Sequence, residues 1–168
     1  MVPSDDFKQA MRHLAGGVAI IAIEHEGRRS GLSATAVCSV SADPPTLLIC
    51  INSGASAHDP IRESGRFSVN LLASDQNDIA RRFSGETGIK GEERFGLGTW
   101  LPLVTGAPVL ESALAGIDCR VTVVVRMATH SVFFGIVVGV ASRAAASPLI
   151  DAHGTYGTFS PDGAGLWW

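Results

Sequence analysis

The stretch Ser30–Ser53 shows the most informative alternation of polar and apolar positions, and it predicts two strands joined by a corner at Asp43-Pro44-Pro45. The first strand is rich in Ser and Thr, whereas Gly31, Ala34 and Ala36 are small. In a purely structural strand, bulky apolar residues would occupy the positions between the polar ones. The pattern therefore indicates a surface on which a flat ligand can lie against the backbone.

The second strand, Thr46–Ile51, is almost continuously apolar, and this predicts a strand that is buried on both faces. It ends at Asn52 and Ser53, which are followed by Gly54. Polar side chains at the end of a buried strand are well placed to hold the polar groups of a ligand. We therefore expect a binding site at this end of the predicted strand.

Apolar spacing in the rest of the chain predicts three short helices and several further strands. The predicted helices cover residues 4–14, capped by Ser4, residues 57–63, capped by Ser56, and residues 74–84, opening at Ser74. The predicted strands cover residues 18–25, 67–72, 109–110, 118–127 and 132–141, with a short strand and turn over 147–159. Residues 86–98 lack periodicity and are predicted to be a surface loop with one helical turn near Glu92.

This order of elements predicts the fold class. Six or seven strands with mostly short connections and no βαβ rhythm favour a mainly β fold with a few short helices. They indicate an antiparallel barrel rather than a doubly wound sheet. A length of 168 residues suits a single domain that spans residues 1–168.

Composition and charge exclude several classes of partner. The net charge is −3 and the Lys and Arg residues are scattered, so nucleic acid is not expected as a partner. No apolar run approaches the roughly 20 residues of a membrane helix, and the N-terminal residues lack the order of a secretory signal, so we expect a cytoplasmic protein without a membrane partner. Only 17% of the residues are charged, which indicates that some apolar surface faces another subunit.

The cysteines and histidines do not indicate a metal site. The three cysteines lie in strand-like apolar sequence without C-x-x-C spacing, and we expect them to be buried thiols. They are Cys38, Cys50 and Cys119. His13, His25 and His58 share no metal-ligand spacing with a Cys or an acidic residue, so no metal is assigned.

Five blocks of sequence together resemble one known family. The blocks are G-L-S-A-T-A-V-C-S-V-S-A-D-P-P-T-L-L-I-C-I-N, F-S-V-N-L-L, R-R-F-S-G, A-T-H-S-V-F-F-G-I-V and H-G-T-Y-G-T-F. From about Phe7 to Phe159 the chain is similar to the short-chain flavin reductases, which typically serve as the reductase components of two-component flavin-dependent monooxygenases. The resemblance implies an antiparallel FMN-binding split barrel of the Greek-key type.

The same resemblance implies that FMN or FAD lies along the first block. The flavin contacts that it implies in this block are Ser33, Ala34, Thr35, Ala36, Val37, Ser39 and Cys50. Asn52, Ser53 and Ser56 match positions that meet the phosphate and sugar, where a helix N-terminus favours an anion. An ordinary helix cap is a second role for Ser56, and the two roles are compatible.

Further flavin contacts are implied in the third block and in the loop after it. Phe83, Ser84 and Gly85 match a block whose aromatic residue packs near the flavin, although Ser84 replaces the usual Ala. Lys90 and Arg94 in the following loop could reach a phosphate or pyrophosphate. The alternatives are that Phe83 is simply the last core residue of its helix and that the two cations are solvated.

The last two blocks concern the nicotinamide nucleotide. A histidine in a turn is usually a surface residue, but the resemblance implies that His130 is catalytic and lies close to the flavin ring and to the nicotinamide of NADH or NADPH. His153, Gly154, Thr155 and Tyr156 match the family's contacts with this nucleotide. No G-x-G-x-x-G follows the first strand, so a Rossmann mode of binding is excluded.

The implied activity is that of an NAD(P)H:flavin oxidoreductase, which transfers a hydride from the nicotinamide to N5 of FMN or FAD. The reduced flavin would then supply a separate monooxygenase. Two alternatives remain open: a flavin-bound reductase of a corrinoid cobalt or ferric acceptor, and a non-enzymatic flavin electron carrier. A homodimer is expected, because members of the family build each flavin site from two subunits.

Overall fold

A computed structural model describes residues 1–143 and 146–160. Its helices are α1 (Ser4–Met11), α2 (His58–Ser64), α3 (Asn77–Ser84) and the 3-10 helix Gly91–Gly96. Its strands are β1 (Gly16–Gly17), β2 (Ala19–His25), β3 (Arg28–Ala34), β4 (Val37–Ala42), β5 (Pro45–Asn52), β6 (Arg66–Leu71), β7 (Trp100–Pro102), β8 (Pro108–Leu110), β9 (Ala115–Met127), β10 (His130–Ser142), β11 (Leu149–Ala152) and β12 (Thr155–Thr158). The mainly β fold with few short helices is thus confirmed.

Seven strands form one antiparallel sheet in the order β3-β2-β6-β9-β10-β5-β4. The two edge strands, β3 and β4, are consecutive in the chain and are joined only by Thr35 and Ala36. The sheet therefore curls until its edges approach each other, and the short link crosses the split between them. This arrangement confirms the antiparallel split barrel.

The stretch Ser30–Ser53 forms parts of three strands, so the prediction of two strands is wrong. β3 ends at Ala34 and β4 begins at Val37, because the Val37 N–H turns back to the carbonyl of Thr35, at 3.0 Å. The predicted corner at Asp43-Pro44-Pro45 is present as the turn between β4 and β5. Sequence alone did not indicate the break, because Thr35 and Ala36 both suit a strand.

The core consists of two clusters that share β2. Ile21 and Ile23 of β2 point into the barrel, where they pack with residues such as Ile49 and Phe133. The intervening Ile20 points outward into a second cluster beneath α3, the 3-10 helix and β8. β2 is therefore the strand that is buried on both faces.

β5 was predicted to be buried on both faces, and within one chain this is wrong. Leu47, Ile49 and Ile51 are buried, but the residues between them are only half-buried. The prediction that all three cysteines are buried is wrong for two of them: Cys119 is buried, but Cys50 is half-buried and Cys38 on the edge strand is exposed. Burial raises the pKa of the Cys119 thiol to about 12, and the carboxylate of Asp118 adds to the effect.

The later helices begin at other residues than those predicted, and the first helix ends earlier. α1 begins at Ser4 as predicted, but its N-cap is Pro3 and it ends at Met11 instead of residue 14. α2 starts after Ala57, so neither Ser4 nor Ser56 acts as an N-cap. α3 starts at Asn77 and not at Ser74, because Ala73 forms a bridge to Pro148 and the next residues form a turn, in which the N–H of Gln76 donates to the carbonyl of Ala73 at 2.9 Å. α3 ends at residue 84 as predicted and α2 ends at Ser64, one residue later than predicted; Gly65 and Gly85 adopt left-handed conformations at these ends.

β9 and β10 form a long hairpin whose tip stands clear of the barrel. Its turn consists of Ala128 and Thr129, so His130 is the first residue of β10 and not a turn residue as predicted. From Thr122 to Thr129 every residue is exposed. None of the helices in residues 1–143 and 146–160 is long and apolar enough to cross a bilayer.

Candidate functional site

Parts of the predicted flavin block and the predicted nicotinamide block, which lie far apart in the sequence, line one cleft of about 370 Å³. Its lining residues are Val18, Ser33, Ala34, Thr35, Ser84, Glu86, Asp151, Gly154 and Tyr156. Strand pairing brings them together, because β11 pairs with β1, and the chain passes from β1 directly into β2 beside β3. This opening is called the Tyr156 cleft.

The phenol of Tyr156 is a half-buried polar group of this cleft. Burial raises the pKa of Tyr156, the carboxylate of Glu86 raises it further, and Asp151 adds a smaller rise. The hydroxyls of Ser33 and Ser84 oppose this rise. Tyr156 therefore keeps its proton at neutral pH and can donate a hydrogen bond to a ligand in the cleft.

Two other predicted residues of the first block line a larger apolar groove of about 850 Å³. Val37 and Ser39 line this groove, which Met11 of α1 and Val137 of β10 border on other sides. Thr35 lines both the groove and the Tyr156 cleft, so the two openings are adjacent. A flat ligand at Thr35 would therefore have space on both sides of the link.

Ala36 and Cys50 are hydrogen-bonded to each other where the link Thr35–Ala36 meets β5. The N–H of Cys50 donates to the carbonyl of Ala36 at 3.1 Å, and this bond ties β5 to the link before β4 begins. Ala36 is exposed and Cys50 is half-buried. Both residues therefore border the region of Thr35 rather than the barrel interior.

The predicted contacts around α3 fall in different environments. Phe83 is only 1% exposed and packs against Phe95 and Trp100, with ring centroids 5.0 and 5.4 Å away. Ser84 lines the Tyr156 cleft, and Gly85, with φ of 94°, ends the helix beside it. The structure thus places Ser84 at the cleft and Phe83 behind the wall formed by β3.

The two cations of the following loop also differ. Lys90 is exposed, immediately before the 3-10 helix. The guanidinium of Arg94 donates to the carbonyls of Gly31 at 2.9 Å, Ile89 at 3.0 Å and Phe83 at 3.3 Å. Arg94 therefore fixes the loop to β3 and is committed to backbone groups rather than to a phosphate.

The predicted phosphate residues lie beside the predicted catalytic histidine. Asn52 of β5 is paired with His130 of β10, and the N–H of Ser53 donates to the carbonyl of Thr129 at 2.9 Å. Thr129 also contacts Nδ1 of His130 through its hydroxyl, at 2.9 Å. His130 does not line the Tyr156 cleft of its own chain.

Ser56 lies beside the edge strand β3, between β5 and α2 in the chain. Its hydroxyl is 3.3 Å from that of Ser30 on β3, and both residues line a third opening of about 390 Å³. Arg28 and Arg29 also line this opening, although Arg29 is paired with Glu92 at 3.0 Å. Glu26 lines it as well, so the opening offers hydroxyl groups and a mixture of positive and negative charge.

The turn between β11 and β12 carries the rest of the nicotinamide block. His153 and Gly154 both have positive φ, 58° and 72°, as a tight two-residue hairpin turn requires. The N–H of His153 donates to the carbonyl of Arg12 at 3.0 Å, and its ring meets that of His13 edge to face. Thr155, the first residue of β12, is exposed.

Residues 11–160 match the model of the flavin reductase like domain. The chain belongs to this family. The FMN reductase (NADH) RutF of Pseudomonas syringae is 43% identical over 144 residues, which are 86% of this chain and 80% of that protein.

Solved structures agree with this assignment. A proposed flavin reductase from Haemophilus somnus is 34% identical with a TM-score of 0.90, over 94% of this chain and all of that one. The styrene monooxygenase flavin reductase from Pseudomonas putida is 27% identical with a TM-score of 0.81, over 92% and 97% of the chains. The recognition of the family from the five sequence blocks is confirmed.

A flavin site should offer polar groups that have no hydrogen-bond partner within the protein. One such group is present near the predicted phosphate residues. The hydroxyl of Ser53 is buried without a hydrogen-bond partner. A buried hydroxyl without a partner loses free energy unless a ligand or water supplies one. Ser53 stands between the paired Asn52 and the Ser56 opening, so the residues present fit a flavin with a phosphate-bearing tail.

Sequence reasoning missed three residues near the flavin reductase-like site. Glu86 and Asp151 supply the carboxylates of the Tyr156 cleft, and no motif marked them as neighbours of Tyr156. His58 was considered only as a metal ligand, although it is bonded to Ser131, the residue after His130. An ionisable residue beside a family block is the signal that could have indicated His58.

Proposed function

We propose that this protein is an NADH-dependent flavin reductase that acts on FMN or FAD as one flavin reductase-like domain over residues 1–168. The observation that carries the proposal is the Tyr156 cleft, where Ser33–Thr35 of the flavin block meet Gly154 and Tyr156 of the nicotinamide block. Two ligands that must react with each other require such a shared opening.

Each part of the site has a role in this proposal. Ser33–Ser39 would carry the flavin ring, Asn52–Ser56 and Lys90 its phosphate-bearing tail, and residues 153–156 the nicotinamide nucleotide. When bound, the flavin supplies the hydride-accepting chemistry. The protein supplies position: Tyr156 donates a hydrogen bond from a protonated phenol, and His130 orients the donor.

The reaction can be tested directly. NADH and FMN are mixed anaerobically with the purified protein, and loss of the flavin absorbance band is followed against a sample without protein. The change Ser33→Leu places a bulky side chain in the Tyr156 cleft and should lower kcat/KM for the flavin by about tenfold or more, since near-attack geometry would be lost. The matched control is Ser4→Leu at an exposed position of α1. No reduction by the wild-type protein, or equal loss in both variants, would refute the proposal.

We also propose a homodimer. The tip of the β9–β10 hairpin exposes apolar side chains, with Val123 at 52% and Met127 at 66% exposure. The apolar groove beside Thr35 is large enough to receive side chains of a second copy. A second copy would also allow His130 of one chain to reach a cleft on the other. Size-exclusion chromatography with light scattering should give twice the chain mass, and a monomer mass would exclude the dimer.

A separate flavin-dependent monooxygenase is the proposed consumer of reduced flavin. The styrene monooxygenase flavin reductase, which shares this fold, supports that assignment. A cytoplasmic location is proposed as well, and it is supported by three cysteines that all remain free thiols. Detection of oxygenation only when both proteins are present with NADH would support the pairing with a monooxygenase.

A further inference from the structure

His58 is a buried histidine whose ring is held on every side. It is the first residue of α2 and is 7% exposed. Its Nε2 lies 2.9 Å from Oγ of Ser131, and its Nδ1 lies 3.0 Å from Oδ1 of Asp59. The ring also meets Phe133 edge to face, with 5.5 Å between centroids. These contacts leave the imidazole one orientation.

The hydrogen bonds of His58 also assign a proton to Nδ1. The Asp59 carboxylate can only accept, so Nδ1–H donates to it, and Nε2 forms the second hydrogen bond with the hydroxyl of Ser131. This bond from His58 holds the pKa of Asp59 below its usual value, with a further contribution from Arg62. The imidazole is thus a fixed bridge from α2 to β10.

This bridge ends one residue from the proposed catalytic histidine. Successive side chains of a strand point to opposite faces. Ser131 accordingly points inward and is 3% exposed, whereas His130 points outward and is half-buried. A displacement of Ser131 along the strand would therefore move His130 as well.

The same bridge closes a loop around the proposed phosphate residues. Residues 52–58, called the 52–58 loop, are held to β10 at two points. Near the start of the loop, the N–H of Ser53 donates to the carbonyl of Thr129 at 2.9 Å. At its end, His58 is bonded to Ser131. Asn52, Ser53 and Ser56 lie between or beside these two attachments.

The side chains of Asp59, His58 and Ser131 are connected in the order of a catalytic Asp-His-Ser triad. A nucleophilic role for Ser131 does not fit the structure. The Ser131 hydroxyl belongs to a residue that is 3% exposed on the core side of β10. A substrate could not reach it without displacement of the barrel wall. The group is therefore suited to hold structure in place.

We propose that His58 is a positioning residue that holds the 52–58 loop and His130 in one arrangement, so that flavin binding and nicotinamide binding depend on the same bridge. This inference rests on the proposed function for the identity of the ligands. The bridge itself belongs to the protein without ligand, so it can be tested without turnover.

Four variants isolate the bridge. His58→Asn retains a polar atom near Nδ1 but cannot reach Ser131, whereas His58→Gln places its amide near Nε2 and can restore the bond. Ser131→Ala removes the same bond from the other side. Ser68→Ala is the stability control. It also removes a buried hydroxyl, which is hydrogen-bonded to the carbonyls of Ala22 and Pro108, but this hydroxyl does not contact the 52–58 loop.

The first measurement is backbone hydrogen exchange in the ligand-free proteins. His58→Asn and Ser131→Ala should raise exchange of the 52–58 loop and of residues 129–131 by about tenfold, which corresponds to 1.4 kcal/mol. His58→Gln should stay within about threefold of the wild type, because its amide replaces the lost hydrogen bond. Ser68→Ala should leave the exchange of this loop unchanged. Unchanged exchange in His58→Asn would overturn the inference.

The second measurement is binding and turnover. Titration of flavin fluorescence should give a Kd about tenfold higher in His58→Asn, and the KM for NADH should rise with it. The double variant His58→Asn, Ser131→Ala should be no weaker than either single variant, because both remove one bond. Additive losses, or equal losses in Ser68→Ala, would contradict the inference. Failure of wild-type flavin reduction would count against the proposed function, while the exchange result would still decide the role of His58.

Discussion

Gly31 was interpreted as small so that a flat ligand could approach β3, but the structure gives another reason. A Cβ at Gly31 would lie 2.8 Å from the carbonyl oxygen of Ile21 and 3.0 Å from the ring of Phe83. Both contacts are inside the protein, between β3, β2 and α3. The change Gly31→Ala should therefore destabilise the fold itself.

The size of the effect follows from these two contacts. Phe83 is 1% exposed and is packed against other aromatic rings, so it has little room to move. The carbonyl of Ile21 is backbone, so β2 and β3 must separate locally. Overpacking of a core typically costs about 1–3 kcal/mol, and the gain from replacing Gly by Ala in a strand offsets about 0.5–1 kcal/mol of it. We expect a net loss of about 1.5 kcal/mol, or about 5 °C in Tm for a chain of this size.

Thermal unfolding followed by circular dichroism, without flavin, measures this loss. Gly157→Ala on exposed β12 is the matched control, because a Cβ there meets no atom within 4 Å. That variant should melt about 1–4 °C above the wild type, because replacing Gly by Ala in a strand gains about 0.5–1 kcal/mol and nothing opposes the new Cβ. The reasoning is wrong if Gly31→Ala melts together with Gly157→Ala. A normal Tm combined with weaker flavin binding would instead favour the ligand interpretation.

Three further predictions concern single side chains. Ser53→Ala should raise the flavin Kd by about 5–10-fold without lowering the Tm of the ligand-free protein, because its buried hydroxyl has no protein partner; a lower Tm would contradict this. His130→Ala should lower kcat/KM for NADH in stopped-flow experiments by about tenfold or more while flavin Kd changes less than about threefold, since it would act on the donor. The raised pKa of Cys119 means that the native state keeps a proton that the unfolded state loses, so stability should fall between pH 9 and about 12. Denaturant unfolding should show a smaller fall in Cys119→Ala, and an equal fall would exclude the thiol as the cause.

The fold was largely predictable because its strongest signals are local. The β2–β3 hairpin follows from apolar alternation around Glu26 and Gly27, whose φ values of 51° and 74° suit a two-residue turn. The helix starts were not predictable, since Ser56 and Ser74 are good caps by residue type but tertiary contacts decide where each helix begins. The Tyr156 cleft required the pairing of β11 with β1, which no local pattern encodes.

The split between β3 and β4 explains why the proposed site lies where it does. A strand at the edge of a sheet leaves alternate N–H and C=O groups without a ladder partner. Near Gly31 the guanidinium of Arg94 covers this edge, because it donates a hydrogen bond to the Gly31 carbonyl in place of a neighbouring strand. Ser33 is two residues further along, so its backbone groups point to the same edge, where the Tyr156 cleft begins. A flavin bound there would supply the missing partners, and at 100 times its Kd it would add about 2.7 kcal/mol to the stability of the barrel.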